Sequence, residues 1–151
     1  AHGVYTKSEL RSRYEIQLEN YCKTVRIEAL TMVDMARKEI LPAVESYVSS
    51  LAAAAAAKKT VDAELPCGYE TKKLRRLSSL VDTIDSRVDA LEEKLVRLDT
   101  LQDLTEEAAF IRDELIPAMG QLRAAADEAE TQTAASCWPF PTYGDLLFGV
   151  K

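Results

Sequence analysis

Leu74, Leu77, Val81, Ile84, Val88, Leu91, Leu95 and Leu98 follow one another at alternating steps of three and four residues. A strand repeats every two residues and cannot hold this rhythm on one face, whereas a helix gathers all eight on a single seam. The spacing is that of heptad a and d positions, so the segment from about 69 to 99 is a coiled-coil-like helix. Ser78, Asp85, Arg87, Glu92 and Lys94 flank the seam. A seam of that length needs long helical neighbours, which makes the fold class all-α.

The flanking sequence supplies two. Upstream, Leu10, Tyr14, Leu18, Tyr21, Val25, Ala29, Met32 and Ala36 form one helical stripe, and Ile27, Leu30, Val33 and Leu41 form a second. Two stripes predict two neighbours, so the middle of this helix is expected to be sandwiched. Ser8 is its predicted N-cap, with Arg11 three residues on in place of the Glu of a capping box. Pro42 removes a backbone donor, yet the apolar steps resume at Val44, Tyr47, Val48 and Leu51 before the alanine run Ala52 to Ala57. The pattern predicts one helix over about 8–58, bent at Pro42 and roughly 75 Å long. "ELPCGYE" (64–70) is the clearest break. Downstream, Asp103 and Glu106 are spaced as a capping box before Ala108, Ile111, Leu115, Ala118, Leu122, Ala125 and Ala129, which predicts a third helix over about 104–136.

Short connections make these helices antiparallel, giving an elongated up-down-up bundle with heptad-like packing over residues 1–136 and an extended tail over 137–151. Counting residues along the bundle sets Pro117 near the level of Pro42, in matching surroundings (Glu39-Ile-Leu-Pro42 and Glu114-Leu-Ile-Pro117). This predicts either a shared bend or two separately tolerated breaks. It also sets Ala52–Ala57 beside Ala124–Ala126 and Ala129, where small residues would let backbones approach closely. Two surfaces remain without a partner. They are the first twenty or so residues, with Leu10, Tyr14, Leu18 and Tyr21, and the tail "WPFPTYGDLLF" (138–148), with Trp138, Phe140, Tyr143, Leu146, Leu147 and Phe148. The tail either folds over the bundle's own end or docks elsewhere.

Charge and chemistry narrow the function. A formal charge of -6 disfavours a nucleic-acid partner, and the run Lys72, Lys73, Arg75, Arg76 reads as a solvated helix face. The segment Leu51–Ala57 is too short to span a bilayer, so no membrane partner is expected. Cys22, Cys67 and Cys137 are odd in number with no CxxC spacing, which points to reduced thiols and a cytoplasmic setting. His2 is the one histidine and lies at the start, away from any base–nucleophile pair; the five glycines form no phosphate loop. The acidic residues of the third helix sit in mixed-charge runs. No catalytic, cofactor-binding or metal-ligating residue is assigned. The chain opens without an initiator methionine and is soon in helical pattern, which reads as a piece of something longer.

The blocks "SRYEIQLENYCKTVRIEALTMVDMA" (12–36), "ILPAV" (40–44), "AMGQLRAAADEAE" (118–130) and "WPFPTYGDLLF" (138–148) together resemble the C-terminal region of type III glutamine synthetases, the long-subunit bacterial form. The resemblance runs through essentially the whole chain. It implies that a full-length enzyme joins ammonia to glutamate using ATP and Mg or Mn, as a homo-oligomer, with its catalytic motifs upstream of these residues. On that resemblance the chain is a noncatalytic helical domain, inactive alone, whose partners are the upstream catalytic region and neighbouring subunits. The alternative is a free-standing helical protein-interaction module.

Overall fold

Thr6, rather than Ser8, caps the first helix. Its hydroxyl accepts the Glu9 amide at 3.3 Å while the Glu9 carboxylate accepts the Thr6 amide at 2.7 Å. The capping box therefore lies in Thr6-Lys7-Ser8-Glu9, two residues earlier than predicted, because Thr6 has its Glu at the required spacing and Ser8 does not. In the computed structural model, which describes residues 5–141 and 143–149, this cap opens α1 (Lys7–Met35). A π-helical turn, Ala36–Ile40, leads into α2 (Leu41–Val61), and α3 spans Gly68–Leu98. Then come α4 (Leu104–Phe110), a second π-helical turn, Ile111–Leu115, and α5 (Ile116–Gln132), with α6 (Tyr143–Phe148) in the tail. The class is all-α. His2 lies outside the described residues.

The helical backbone carries on through both prolines. In a regular helix the proline ring clashes with the carbonyl four residues back, and a wider turn relieves that clash. The residue before each proline donates five residues back, Leu41 to Ala36 and Ile116 to Ile111. Ion pairs give the register. Arg26 meets Asp99, Arg37 meets Glu92 and Lys58 meets Glu70, so α3 runs antiparallel to the first helical run. Lys94 with Glu114, and Arg76 with Glu128, set α5 antiparallel to α3 on its other side.

The core follows the seam. Leu77, Ile84, Val88 and Leu91 are fully buried in α3, facing Val44 and Leu51 of α2 and Leu122, Ala125 and Ala129 of α5. Leu80, outside the seam, is buried too, because a middle helix needs apolar residues toward both neighbours. Two expectations need correction. The outer limbs α2 and α5 each pack along α3 and barely touch one another, so Ala52–Ala57 does not meet Ala124–Ala126 and Ala129 in close approach. The run is exposed except at Ala55. Nor is the middle of α1 sandwiched by its two stripes: Cys22, Val25, Ala29 and Val33 form one buried face against both α3 and α4, while Ile27 and Leu30 face outward. One stripe seated in the groove between two helices serves both neighbours.

The run Lys7–Val61 contains a stretch long and apolar enough, by length and composition, to cross a membrane. Within that run Val44 and Leu51 belong to the bundle's core.

Candidate docking surfaces

The first buried residue of α1 is Cys22, so Lys7–Tyr21 forms an arm of fifteen residues, about 22 Å long. Local pairs support its helix. Arg11 Nε lies 2.9 Å from Glu15 and Lys23 Nζ 2.6 Å from Glu19, each one turn apart, and the Arg13 guanidinium stacks 4.4 Å above the Tyr5 ring. At 100° per residue, Leu10, Tyr14 and Tyr21 lie on the flank of the stripe that the bundle buries farther along. They are 62%, 59% and 38% exposed, and Leu18 is half-buried. Ile16, Ile27 and Leu30 fall on the far side of the same helix and are exposed as well. Sequence reasoning placed Ile27 and Leu30 in a core stripe and did not single out Ile16. Their spacing alone carried the signal that α1 has apolar residues on opposed faces.

The tail is aimed by the end of α5. Thr133 is buried and its hydroxyl donates to the Ala129 carbonyl at 2.7 Å, while Lys73 Nζ donates to the Gln132 carbonyl at 2.9 Å, so the last turn is closed by side chains. Cys137 and Trp138 amides both donate to Ala134, forming a turn that reverses the chain. Pro139 and Pro141 then keep it stiff. Trp138 and Phe140 fold back on the bundle, half-buried and in edge contact at 6.3 Å and 75°. They close a cleft of about 450 Å³ whose floor is Met32, Met35 and Ala36 on one side and Leu122 and Ala126 on the other. The cleft thus lies between the end of α1 with its π-helical turn and α5.

Beyond Pro141 the tail is not extended as expected, since Tyr143–Phe148 is helical. Leu146 lines the cleft, yet it remains 68% exposed, and Leu147 and Phe148 are exposed too. The Tyr143 side chain lies outside the described residues. The tail thus divides: its first aromatic pair packs on this bundle, and its helical end presents apolar residues outward.

Chemistry is sparse. Among the described residues no group of three or more His, Cys, Asp or Glu could hold a metal ion. Burial, then the nearby charge of Glu107, pushes the Cys22 thiol up, which keeps it protonated and unreactive. Cys67 and Cys137 are free and half-buried. Glu70 is buried, and its hydrogen bond with Lys58 holds its carboxyl below the usual range, clasping the loop between α2 and α3. These are structural groups.

The architecture is that of a helical domain with surplus apolar surface at both ends. Residues 1–59 match the family model for the glutamine synthetase C-terminal domain. A glutamine synthetase of Butyrivibrio fibrisolvens is 33% identical over 150 residues, covering 99% of this chain. The type-3 glutamine synthetase of Dictyostelium discoideum is 26% identical over 97% of it, and a glutamine synthetase of Bacteroides fragilis (strain YCH46) is 30% identical over 96%. By these matches the chain is similar, along nearly its whole length, to a segment of glutamine synthetases, and its first 59 residues match their C-terminal domain. It spans only 20 to 21% of the length of these relatives.

Proposed function

We propose that this segment is a noncatalytic helical domain of a longer glutamine synthetase, serving the packing and assembly of an enzyme that ligates ammonia to glutamate at the expense of ATP. The observation that carries the reading is the alignment of 99% of the chain with 21% of a named glutamine synthetase. In this reading residues 1–136 act as the bundle and 137–151 as the tail. Leu10, Tyr14, Leu18 and Tyr21 on the arm, and Leu146, Leu147 and Phe148 at the tail's end, meet the catalytic region or a neighbouring subunit. Trp138 and Phe140 instead anchor the tail to its own bundle.

In this reading ATP and the divalent metal belong to the longer enzyme, whose catalytic motifs the resemblance puts upstream of these residues. The free thiols accord with a cytoplasmic enzyme. A free-standing interaction module has no comparable observation in its favour.

The test removes the segment from the longer chain. Light scattering is expected to show a changed subunit number, and glutamine formation to fall with it. An undiminished oligomer of full activity would sink the proposal.

A further inference from the structure

The stretch Lys7–Leu30 of α1, the arm and the two turns after it, leaves apolar residues uncovered on two opposed sides. Leu10 and Tyr14 lie on one flank, and Ile16, Ile27 and Leu30, at 54%, 63% and 48% exposure, lie on the other. A helix resting on a surface shows one apolar stripe, whereas a helix apolar on opposed sides is surrounded. We propose that the arm and the two turns that follow it, Lys7–Leu30, are inserted into the folded body made by the preceding polypeptide of the same longer chain, which grips the arm on both faces and covers Ile27 and Leu30 opposite the bundle. This rests on the reading that the segment belongs to such a chain.

The bundle cannot supply the second grip. α3 and α4 hold the face of Cys22, Val25 and Ala29, and among the described residues the tail shares its cleft with α1 at Met32 and Met35. Ile27 and Leu30 therefore stay bare even where α1 is otherwise packed. Lys23, which lies between Ile16 and Ile27 on that face, is already paired with Glu19 at 2.6 Å, so a partner there needs no opposing charge. An apolar groove suffices.

The occupant follows from length and tether. The relatives are roughly five times longer than this chain, and the matched family model is that of a C-terminal domain, which puts their bulk before the segment. Six residues separate position 1 from α1, so a polypeptide entering there lies within about 20 Å of the arm even if fully extended. At that reach the chain's own body outcompetes a second copy through effective concentration.

The experiment uses the full-length enzyme with Tyr14→Cys, Ile16→Cys or Ile27→Cys, labelled by maleimide and read peptide by peptide. Each introduced thiol is expected to react about tenfold slower or more than in the urea-unfolded chain. A sulfhydryl-to-amine cross-linker applied to mixed isotopically light and heavy subunits is expected to join these positions to preceding residues of the same chain. Hydroxyl-radical footprinting of the unsubstituted enzyme at Tyr14 and Ile27 should agree, which guards against a variant that misfolds. If Tyr14 is protected while Ile16 and Ile27 react at the unfolded rate, two-sided insertion is wrong and one-sided docking stands. If all three react freely, insertion and docking of the arm both fail. Cross-links from the protected sites to the heavy copy would overturn the occupant in favour of a neighbouring subunit.

Discussion

Arg37 Nη2 lies 2.6 Å from Glu92 Oε2, joining the first π-helical turn to α3. One half-turn farther along α3, Lys94 Nζ lies 2.5 Å from Glu114 in the second π-helical turn. The two widened turns therefore flank the same stretch of the middle helix, each tied to it by a charge. Arg37 also reaches Asp89 at 2.8 Å.

These ties set register more than stability. Arg37 and Glu92 keep 41% and 42% of their side-chain surface, and ion pairs so exposed are screened by water and salt. Arg37→Ala is expected to leave the urea midpoint of the bundle nearly unchanged at 0.15 M ionic strength, a typical physiological value. A large loss in a circular-dichroism titration would show that the pair does more than align.

Gly120 offers the opposite case. It lies inside α5, and a Cβ built there meets no atom within 4 Å. Gly120→Ala should raise stability by about 0.5–1 kcal/mol, because alanine loses less backbone entropy in a helix. Chemical denaturation would read the gain. A loss would mean that another surface closes over the site.

The Lys58–Glu70 pair predicts an acid limb. The folded pKa of Glu70 is depressed below its ordinary 4.5, first by the hydrogen bond with Lys58 and then by a backbone hydrogen bond. Its contribution is therefore present above about pH 4.5 and lost as pH falls through the lower folded value. Lys58 is raised above its ordinary 10.5 by the same hydrogen bond, so its share persists to that pH and disappears above it. Glu70→Gln should lower stability at neutral pH and flatten the decline below pH 4.5. Unfolding followed from pH 7 to 3 checks both, and an unchanged acid slope would exclude the pair as its source.

Trp138 is the one tryptophan in the chain and reports on the tail alone. Its half-buried seat predicts blue-shifted emission that moves to the red when the cleft is disturbed. Ala126→Glu, which puts a carboxylate into the cleft, should produce that shift while helical ellipticity stays near the wild-type value. Emission already at the value of the urea-unfolded chain would show that the tail does not pack there.

Much of this was legible from spacing. The seam of α3 gave the fold class, and the run from Ala108 to Ala129 gave the face of the third helical run. The failures have physical causes. Residue spacing fixes which side chains share a face but not which face has a neighbour, and so Ile27 and Leu30 were expected inside. The alanines of α2 and α5 were paired by level along the bundle, yet level says nothing about the angle around α3 at which each limb sits. Ser8 lies nearer the apolar run, but the capping box needs a Glu three residues on, and Thr6 has it where Ser8 does not.

Since α2 and α5 each lean on α3 and scarcely on each other, the bundle consists of two hairpins that share a middle member. Most of its pairings join stretches close in sequence, which keeps contact order low and predicts rapid, largely self-contained collapse. As a long polypeptide is synthesised, such a unit can take shape without waiting for distant partners. The arm of α1 is the exception: it is stabilised by pairs within its own helix and buries none of its residues, so in the proposed enzyme its docking is the step that joins an already folded unit to the rest.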